Sequence, residues 1–340
     1  LLPKTAIDFF SPNNDNRLDK GILIISLDFE LHWGRFDKYP LSGYEGYYTQ
    51  TREVIPRLLE LFVQNNIRVT WATVGSLMAD DVDEWRHYSP NEFPSYQNDK
   101  LSGYTWVNKQ RFLMNEALFA PNLVRQIIDS PGQELGSHTY SHYYTCEKGQ
   151  NHEQFRMDLK AAVRIAQEKF GKSLKSLVFP RNQYDELSVQ IAGEEGFETV
   201  RSNPSDWFWQ HTEEQTLVKR IFRTGDTLIP LGKQSSYPID SVNTFLPVRL
   251  PASRLLRPYK GDFILHRRRI SRIKEEMEVA ARSGHIYHLW WHPHNFGFFS
   301  EENLEGLRQI LIWLKVLELK YGMRSMHMQD TASEILIKAE

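Results

Sequence analysis

The chain has one cysteine, Cys146, among its 340 residues. An intrachain disulfide is therefore excluded, and a lone thiol fits a reducing compartment. Long apolar runs are missing as well: no stretch approaches the roughly 18 consecutive residues that a membrane-spanning helix needs. Excess charge is also absent. The chain carries 41 Lys and Arg against 43 Asp and Glu, for a formal net charge of −2, so a nucleic-acid partner is not expected. The first residues, Leu1-Leu-Pro-Lys-Thr, show no signal-peptide pattern, and a cytoplasmic location is the expectation. Internal repeats and low-complexity tracts are lacking too. What remains is an ordinary globular composition, with 41% hydrophobic and 25% charged residues. Its 9 Trp and 15 Tyr suit a sugar-binding cleft as well as a large core.

The apolar pattern alternates between strand and helix without a linker. Gly21–Asp28 is a continuous apolar run ending in a charge, as in a strand buried on both faces. Ile67–Val74, Glu134–Gly136, Leu174–Phe179, Phe197–Val200, Phe245–Leu250, Ile286–His292 and Met323–Met326 read as further strands. Helical spacing covers Thr51–Asn65, Asn122–Asp129, Glu153–Phe170, Glu186–Glu195, Ile270–Arg282 and Ser300–Lys320, several of them closed by glycine. About seven such repeats predict a single-domain α/β fold, a distorted (β/α) barrel of about seven parallel strands. Residues 1–20 read as an N-terminal extension and 21–335 as the barrel. Two irregular stretches, 80–120 and 203–245, read as insertions that shape a cleft.

Barrel enzymes place their chemistry at the C-terminal ends of the strands. The unusual polar residues of this chain fall there. Asp28 and Glu30 follow the first strand, His138 and His142 the third, Arg181 the fourth, and His292 and His294 end a late one. His138 and His142 are four residues apart, a spacing that puts both on one face of a helical turn. Two imidazoles and a carboxylate make a three-ligand site for a divalent ion: zinc first, with cobalt, nickel and iron open. Such an ion brings the pKa of water from about 16 toward about 7. A second carboxylate then serves as general base, and a histidine across the site as general acid. An arginine beside the base would hold it ionised. In a regular strand Asp28 and Glu30 share a face. The spacing alone leaves open which of the two is base and which is ligand.

These landmarks, in order, resemble the polysaccharide deacetylase family, carbohydrate esterase family 4. Ile25-Ser-Leu-Asp-Phe-Glu30 is similar to its Thr-Phe-Asp-Asp motif, and Val69–Gly75 to its Ala-Thr-Phe-Phe-Val strand. Glu134-Leu-Gly-Ser-His-Thr-Tyr-Ser-His142 matches its histidine motif almost letter for letter. Phe179-Pro-Arg-Asn-Gln-Tyr184 resembles Arg-x-Pro-Tyr, with Asn182-Gln183 departing from it, and Tyr287–Pro293 resembles the late Leu-x-His motif. The chain departs most at the first motif, where Phe29 separates two carboxylates that the family has adjacent. The resemblance implies a metal-dependent hydrolase that removes an N-acyl, chiefly N-acetyl, group from a sugar. It implies His138 and His142 as ligands, His292 as acid and Arg181 as the residue orienting the base; by the same resemblance Asp28 is assigned as base and Glu30 as third ligand, with the reverse left open. Tyr184, Trp207 and Trp290 are the substrate-binding candidates. The partner expected is an N-acylated sugar or glycan intermediate of polysaccharide or lipopolysaccharide biosynthesis. Removal of a formyl group, hydrolysis of another C–N bond, and a catalytically silent glycan-binding barrel are the alternatives.

Overall fold

The computed structural model describes residues 20–110, 113–210, 216–232 and 235–339. Of the expected N-terminal extension, residues 1–19 lie outside the described residues. Ten strands form a mostly parallel sheet: β1 (Ile22–Phe29), β2 (Val69–Thr73), β3 (Gln133–Ser137), β4 (Ser176–Leu177), β5 (Thr199–Ser202), β6 (Tyr237–Pro238), β7 (Val248–Pro251), β8 (Arg254–Leu255), β9 (His285–Trp291) and β10 (Arg324–Met326). The order runs β9-β1-β2-β3-β4-β5-β7, every neighbour parallel. The β7–β8 segment passes from one edge to the other. Ala252 N–H donates to Ser202 of β5 at 2.9 Å, and Ser253 and Leu256 N–H donate to His288 and Trp290 of β9 at 2.8 and 2.9 Å. One stretch of chain thus bonds both edges, and the sheet is a nearly closed (β/α) barrel in a single α/β domain.

β1 shows how sequence sets this arrangement. All eight of its residues are buried, because one face meets helices and the other the barrel interior. Leu23, Ile25, Leu27 and Phe29 join the large outer core with helix residues such as Leu58, Phe62 and Leu311. Ile22 and Ile24 join a smaller inner cluster with Val178, Val248, Leu250 and Ile286. The C-terminal helix Met328–Ala339, not anticipated from sequence, contributes Met328, Ala332 and Ile335 to that inner cluster. Further along the same inward face the side chains turn polar, at Ser26 and then Asp28. The period-2 alternation therefore delivers a hydrophobic floor at one end of the barrel and a carboxylate at the other.

The expected helices are present, several longer than predicted. The helix expected at Ile270 starts at Phe263, where the Asp262 side chain accepts the Leu265 N–H at 2.9 Å. The irregular stretch 80–120 holds three short helices, Val82–Tyr88, Gly103–Lys109 and Asn115–Leu118. Two of its aromatics, Trp85 and Tyr104, are fully buried core residues: Trp85 stacks on Trp33 at 5.8 Å and packs on Tyr104 at 5.5 Å. The stretch 203–245 contains the helix Leu217–Gly225. No helix among the described residues is long and apolar enough to cross a membrane.

Candidate metal centre and its cleft

Asp28 is the last inward residue of β1, and Glu30 follows the strand at φ −135°, ψ −17°, where the chain turns into a short 3-10 segment. Glu30 is therefore not on a regular strand face, yet its side chain reaches the same space as Asp28. Gly34 makes room for it. A Cβ at Gly34 would lie 1.9 Å from Glu30 Oε1 and 2.0 Å from its Cδ.

His138 and His142 are not on a helix. They sit in the loop after β3, in which Thr139 and His142 take positive φ values of 63° and 61°. The loop, not an i, i+4 helical face, turns both rings the same way, with centroids 5.0 Å apart. Asp158, fully buried on the helix His152–Phe170, holds the loop. It accepts Tyr140 N–H at 2.7 Å, Ser141 N–H at 3.3 Å, the Ser141 hydroxyl at 2.5 Å and the Tyr104 hydroxyl at 2.8 Å. Thr139 Oγ1 accepts Tyr143 N–H at 2.7 Å. Nothing in the local sequence marks Asp158 for this, since a lone Asp on a helix usually faces solvent.

The arginine expected to hold Asp28 is a different one. Arg181 pairs with Asp37 at 2.5 Å and Glu147 at 3.3 Å, and lies over the Tyr144 ring at 4.0 Å. Its backbone, at φ 57°, directs it away from Asp28. Arg201 of β5 takes the contact instead, with two bonds to Asp28 of 2.7 and 2.8 Å. It also donates to Ser26 Oγ at 3.0 Å and Asn182 Oδ1 at 2.9 Å, and its guanidinium lies 4.3 Å from the Trp290 ring centroid. Burial pushes the Asp28 carboxyl up, but the Arg201 charge and hydrogen bonds, with His138 and His292, together hold it below its ordinary value. Sequence did carry a signal for Arg201: it is the first residue after the expected strand Phe197–Val200.

His292 and His294 follow β9. His292 Nε2 lies 3.7 Å from Asp28 Oδ2 and 3.6 Å from Glu30 Oε1, and its side chain is partly open to the cleft. His294 is buried, with Nδ1 3.9 Å from Glu30 Oε1. His288 lies deeper, its Nε2 2.9 Å from Ser26 Oγ. Burial and the Arg201 charge pull its pKa down to about 3, so it is neutral.

Glu30, His138 and His142 are suited to a divalent ion. Their donor atoms all lie within 4.8 Å of one another. His138 Nδ1 is engaged by Val178 O at 2.8 Å and His142 Nδ1 by the Tyr144 hydroxyl at 3.1 Å. Each Nε2 then points to Glu30 Oε2, at 3.4 and 3.0 Å. A second partner on the far ring nitrogen is what fixes a metal-binding histidine. Burial draws His142 down to about 4, which keeps it neutral as a ligand must be. Burial raises the Glu30 carboxyl, but His292, His142 and His138 together hold it well below its ordinary range.

A cleft of about 780 Å³ opens above Asp28, Glu30, His138, His142 and His292. Arg181 and Trp290 line it, as does Trp209, but Tyr184 and Trp207 do not. The Tyr184 hydroxyl instead accepts the Asn203 N–H at 3.0 Å, with its ring against Phe179. Trp207 packs on Phe208 and Phe222 and is 53% exposed. The two-residue offset from Trp207 to Trp209 lies in an irregular stretch, where no periodicity marks which aromatic points inward.

No curated protein matches the chain in sequence. Solved structures share its fold. A protein from Mycobacterium smegmatis described as a polysaccharide deacetylase superposes with a TM-score of 0.61 at 14% identity, covering 100% of this chain and 96% of that one. One so described from Pseudomonas aeruginosa PAO1 gives 0.56 at 14% identity, over 93% and 91% of the two chains. The Puue allantoinase gives 0.56 at 14% identity, over 92% and 89%. At that identity these likenesses speak to fold alone. In sequence, residues 35–200 match the family model described as polysaccharide deacetylase, a span that includes His138 and His142 but begins after Asp28 and Glu30. Residues 35–200 are thus similar in sequence to the polysaccharide deacetylase family, and the fold is shared along the whole chain with solved structures so described.

Proposed function

We propose that the protein is a metal-dependent hydrolase that removes an N-acyl group, N-acetyl first, from a sugar or glycan intermediate. The observation that carries this reading is the pairing of two differently held carboxylates. Glu30 converges with His138 and His142, while Asp28, two residues away, is clamped by a buried arginine. Glu30, His138 and His142 would hold the ion, with zinc the first expectation from the donor set. A divalent ion held there supplies Lewis acidity at neutral pH. Asp28, kept ionised by Arg201, accepts a proton from the attacking water as general base. Arg201 leaves a lone pair on each Asp28 oxygen available for that proton. His292, at the open side between the two carboxylates, gives a proton to the amine as the C–N bond breaks. Trp290 covers Arg201 and keeps water from it. Sugar modification during surface polysaccharide or lipopolysaccharide assembly is the setting we propose.

Metal analysis of the purified protein, followed by acetate release from N-acetylated sugars with and without chelator, tests the reading. Bound metal and chelator-sensitive acetate release are expected, both lost in His138→Ala. Full turnover by the stripped protein would overturn it. Formate release in place of acetate would change the acyl group, and glycan binding without turnover would leave a silent barrel.

A further inference from the structure

The chain is nearly neutral, but its cleft is not. The space above the metal centre continues into a second lobe of about 810 Å³. The two lobes share Glu30, Lys38, Tyr39, Thr224, Arg257 and His292, so they form one continuous trough beside the reacting groups. Its walls above the centre carry Lys38, Arg220, Arg223, Arg257, Lys260 and Arg269. Among the described residues, the carboxylates of the lining are Asp28 and Glu30 at the floor and Glu147, which pairs with Arg181. A local excess of cations in a protein of net charge −2 is a placed feature, and one that attracts anions.

Arg257 is its centre. It belongs to both lobes, and its Nε is buried with no hydrogen-bond partner among the described residues. Among the described residues its one hydrogen bond is a long contact of 3.5 Å from Nη2 to the Arg223 carbonyl. Burial, with Arg269 and Arg254 nearby, pulls its pKa below the ordinary value. Arg254, three residues earlier, shows the contrast. Its guanidinium is fully used by Asp226 at 2.8 Å and Glu276 at 2.6 Å. A partly buried guanidinium without a carboxylate costs stability unless a ligand supplies the anion. Arg269 Nε is likewise buried without a partner. The second lobe is also lined by apolar residues, Pro258, Tyr259, Phe298 and Phe299, with the last two 53% and 49% exposed.

We propose that the substrate carries a phosphate ester close to its N-acyl sugar, and that Arg257 with Arg269 and Lys260 receives the phosphoryl group. This rests on the hydrolase reading and names its substrate class. A phosphate ester offers three oxygens and up to two negative charges, enough to engage several cations at once, and arginine meets it with two parallel bonds. The aromatic wall accommodates whatever the phosphate is attached to. The phosphoryl group belongs to a water-soluble sugar phosphate or to a lipid-linked one, and the two sources differ in how they must be presented.

The test is binding, read apart from turnover. Calorimetry compares N-acetylglucosamine with its 1-phosphate and 6-phosphate, on protein with metal and with metal removed by chelator. At least one phosphorylated sugar is expected to bind roughly tenfold or more tightly than the parent, in both metal states, given what a charge-assisted bond contributes. Arg257→Gln should erase most of that preference. Lys260→Gln, at an exposed position, should reduce it without unfolding the protein. Raising the salt from 50 to 500 mM should weaken the phosphorylated ligand alone. Equal binding of neutral and phosphorylated sugars, or a preference that survives both substitutions, would overturn the proposal. So would a preference present only with metal bound. Phosphate-dependent binding with no acetate release would sink the hydrolase reading and leave this one standing. Equal acetate release from neutral sugars would do the reverse. A polyprenyl-phosphate-linked N-acetyl sugar in phosphatidylcholine vesicles decides the source: tighter binding than to the soluble phosphates supports a lipid-linked substrate, and weaker binding supports a soluble one.

Discussion

Gly34 gives the sharpest test of how the carboxylate reaches the centre. A methyl group there would lie 1.9 Å from Glu30 Oε1, 2.0 Å from Cδ and 2.5 Å from Oε2. Carbon and oxygen at ordinary contact need about 3.4 Å or more, so the carboxylate must retreat by roughly 1.5 Å. Metal–ligand distances tolerate only about 0.2 Å. Gly34 has no positive-φ requirement, so the Gly34→Ala backbone itself is unstrained. Glu30 can swing toward the cleft, so the fold should survive with Tm lowered by no more than about 4 °C. The ligand set should not survive. Because the loss of a supporting partner alone costs a metal site about 10- to 100-fold in affinity, displacing the ligand itself should cost at least about 100-fold. Competition with a fluorescent chelator measures the affinity, and differential scanning fluorimetry measures Tm. If Gly34→Ala binds zinc within about threefold of the parent, Glu30 is not the third ligand. The role would then pass to Asp28.

Three further outcomes follow from the same geometry. Arg201→Lys keeps the charge but loses the two-pronged grip on Asp28. It should lower kcat by about tenfold or more and more than Arg181→Lys does; the opposite ranking in a kcat comparison would return the orienting role to Arg181. Asp158→Asn presents an amide to four donors and should cost roughly 3 kcal/mol, with weaker metal binding, as read by denaturant unfolding and metal competition; an unchanged midpoint would show that the histidine loop holds itself. The Asp226 carboxyl is raised by burial but brought below its ordinary 3.8 chiefly by Arg254. Its contribution is therefore complete above 3.8 and lost as pH falls through the lower, folded-state value. Asp226→Asn should flatten the acid limb of a Tm–pH curve below about pH 4, and a limb of unchanged slope would refute the pairing.

The barrel was legible because its strands are buried on both faces and its helices carry continuous apolar stripes. Each of those is a local pattern that a single sequence displays. Gly21–Asp28 read as a strand, and it is one within a residue at each end. What stayed hidden depended on tertiary contacts. Trp85 and Tyr104 looked like loop aromatics because rings far away in sequence, Trp33 against Trp85 and Tyr140 against Tyr104, make core residues of them. The helix Met328–Ala339 was not anticipated because its apolar face has meaning only inside the barrel floor.

The site divides along the same line. His138 and His142 were legible as a pair, but for a reason the structure replaces. Two left-handed residues and the buried Asp158 do what a helical turn was expected to do. The arginine shows the limit more clearly. Arg181 and Arg201 both follow strands expected from the sequence and, as isolated letters, are equivalent. The distinction is that Arg181 comes after a strand of two residues, on a turn with positive φ that lifts it to Asp37 and Glu147. Arg201 is still inside β5, on the face that looks across the barrel to β1. A charge within a strand has no solvent to turn to, so it must find a carboxylate inside. Asp28 is the inward carboxylate at the top of β1, and placing both charges on inward faces of a closed ring leaves each little choice of partner. The second carboxylate, Glu30, is thereby released from the arginine and left to the histidines. The inserted Phe29 separates the two acidic side chains into a clamped one and a converging one, and that division of labour is what the Gly34 and Arg201 substitutions probe from its two sides.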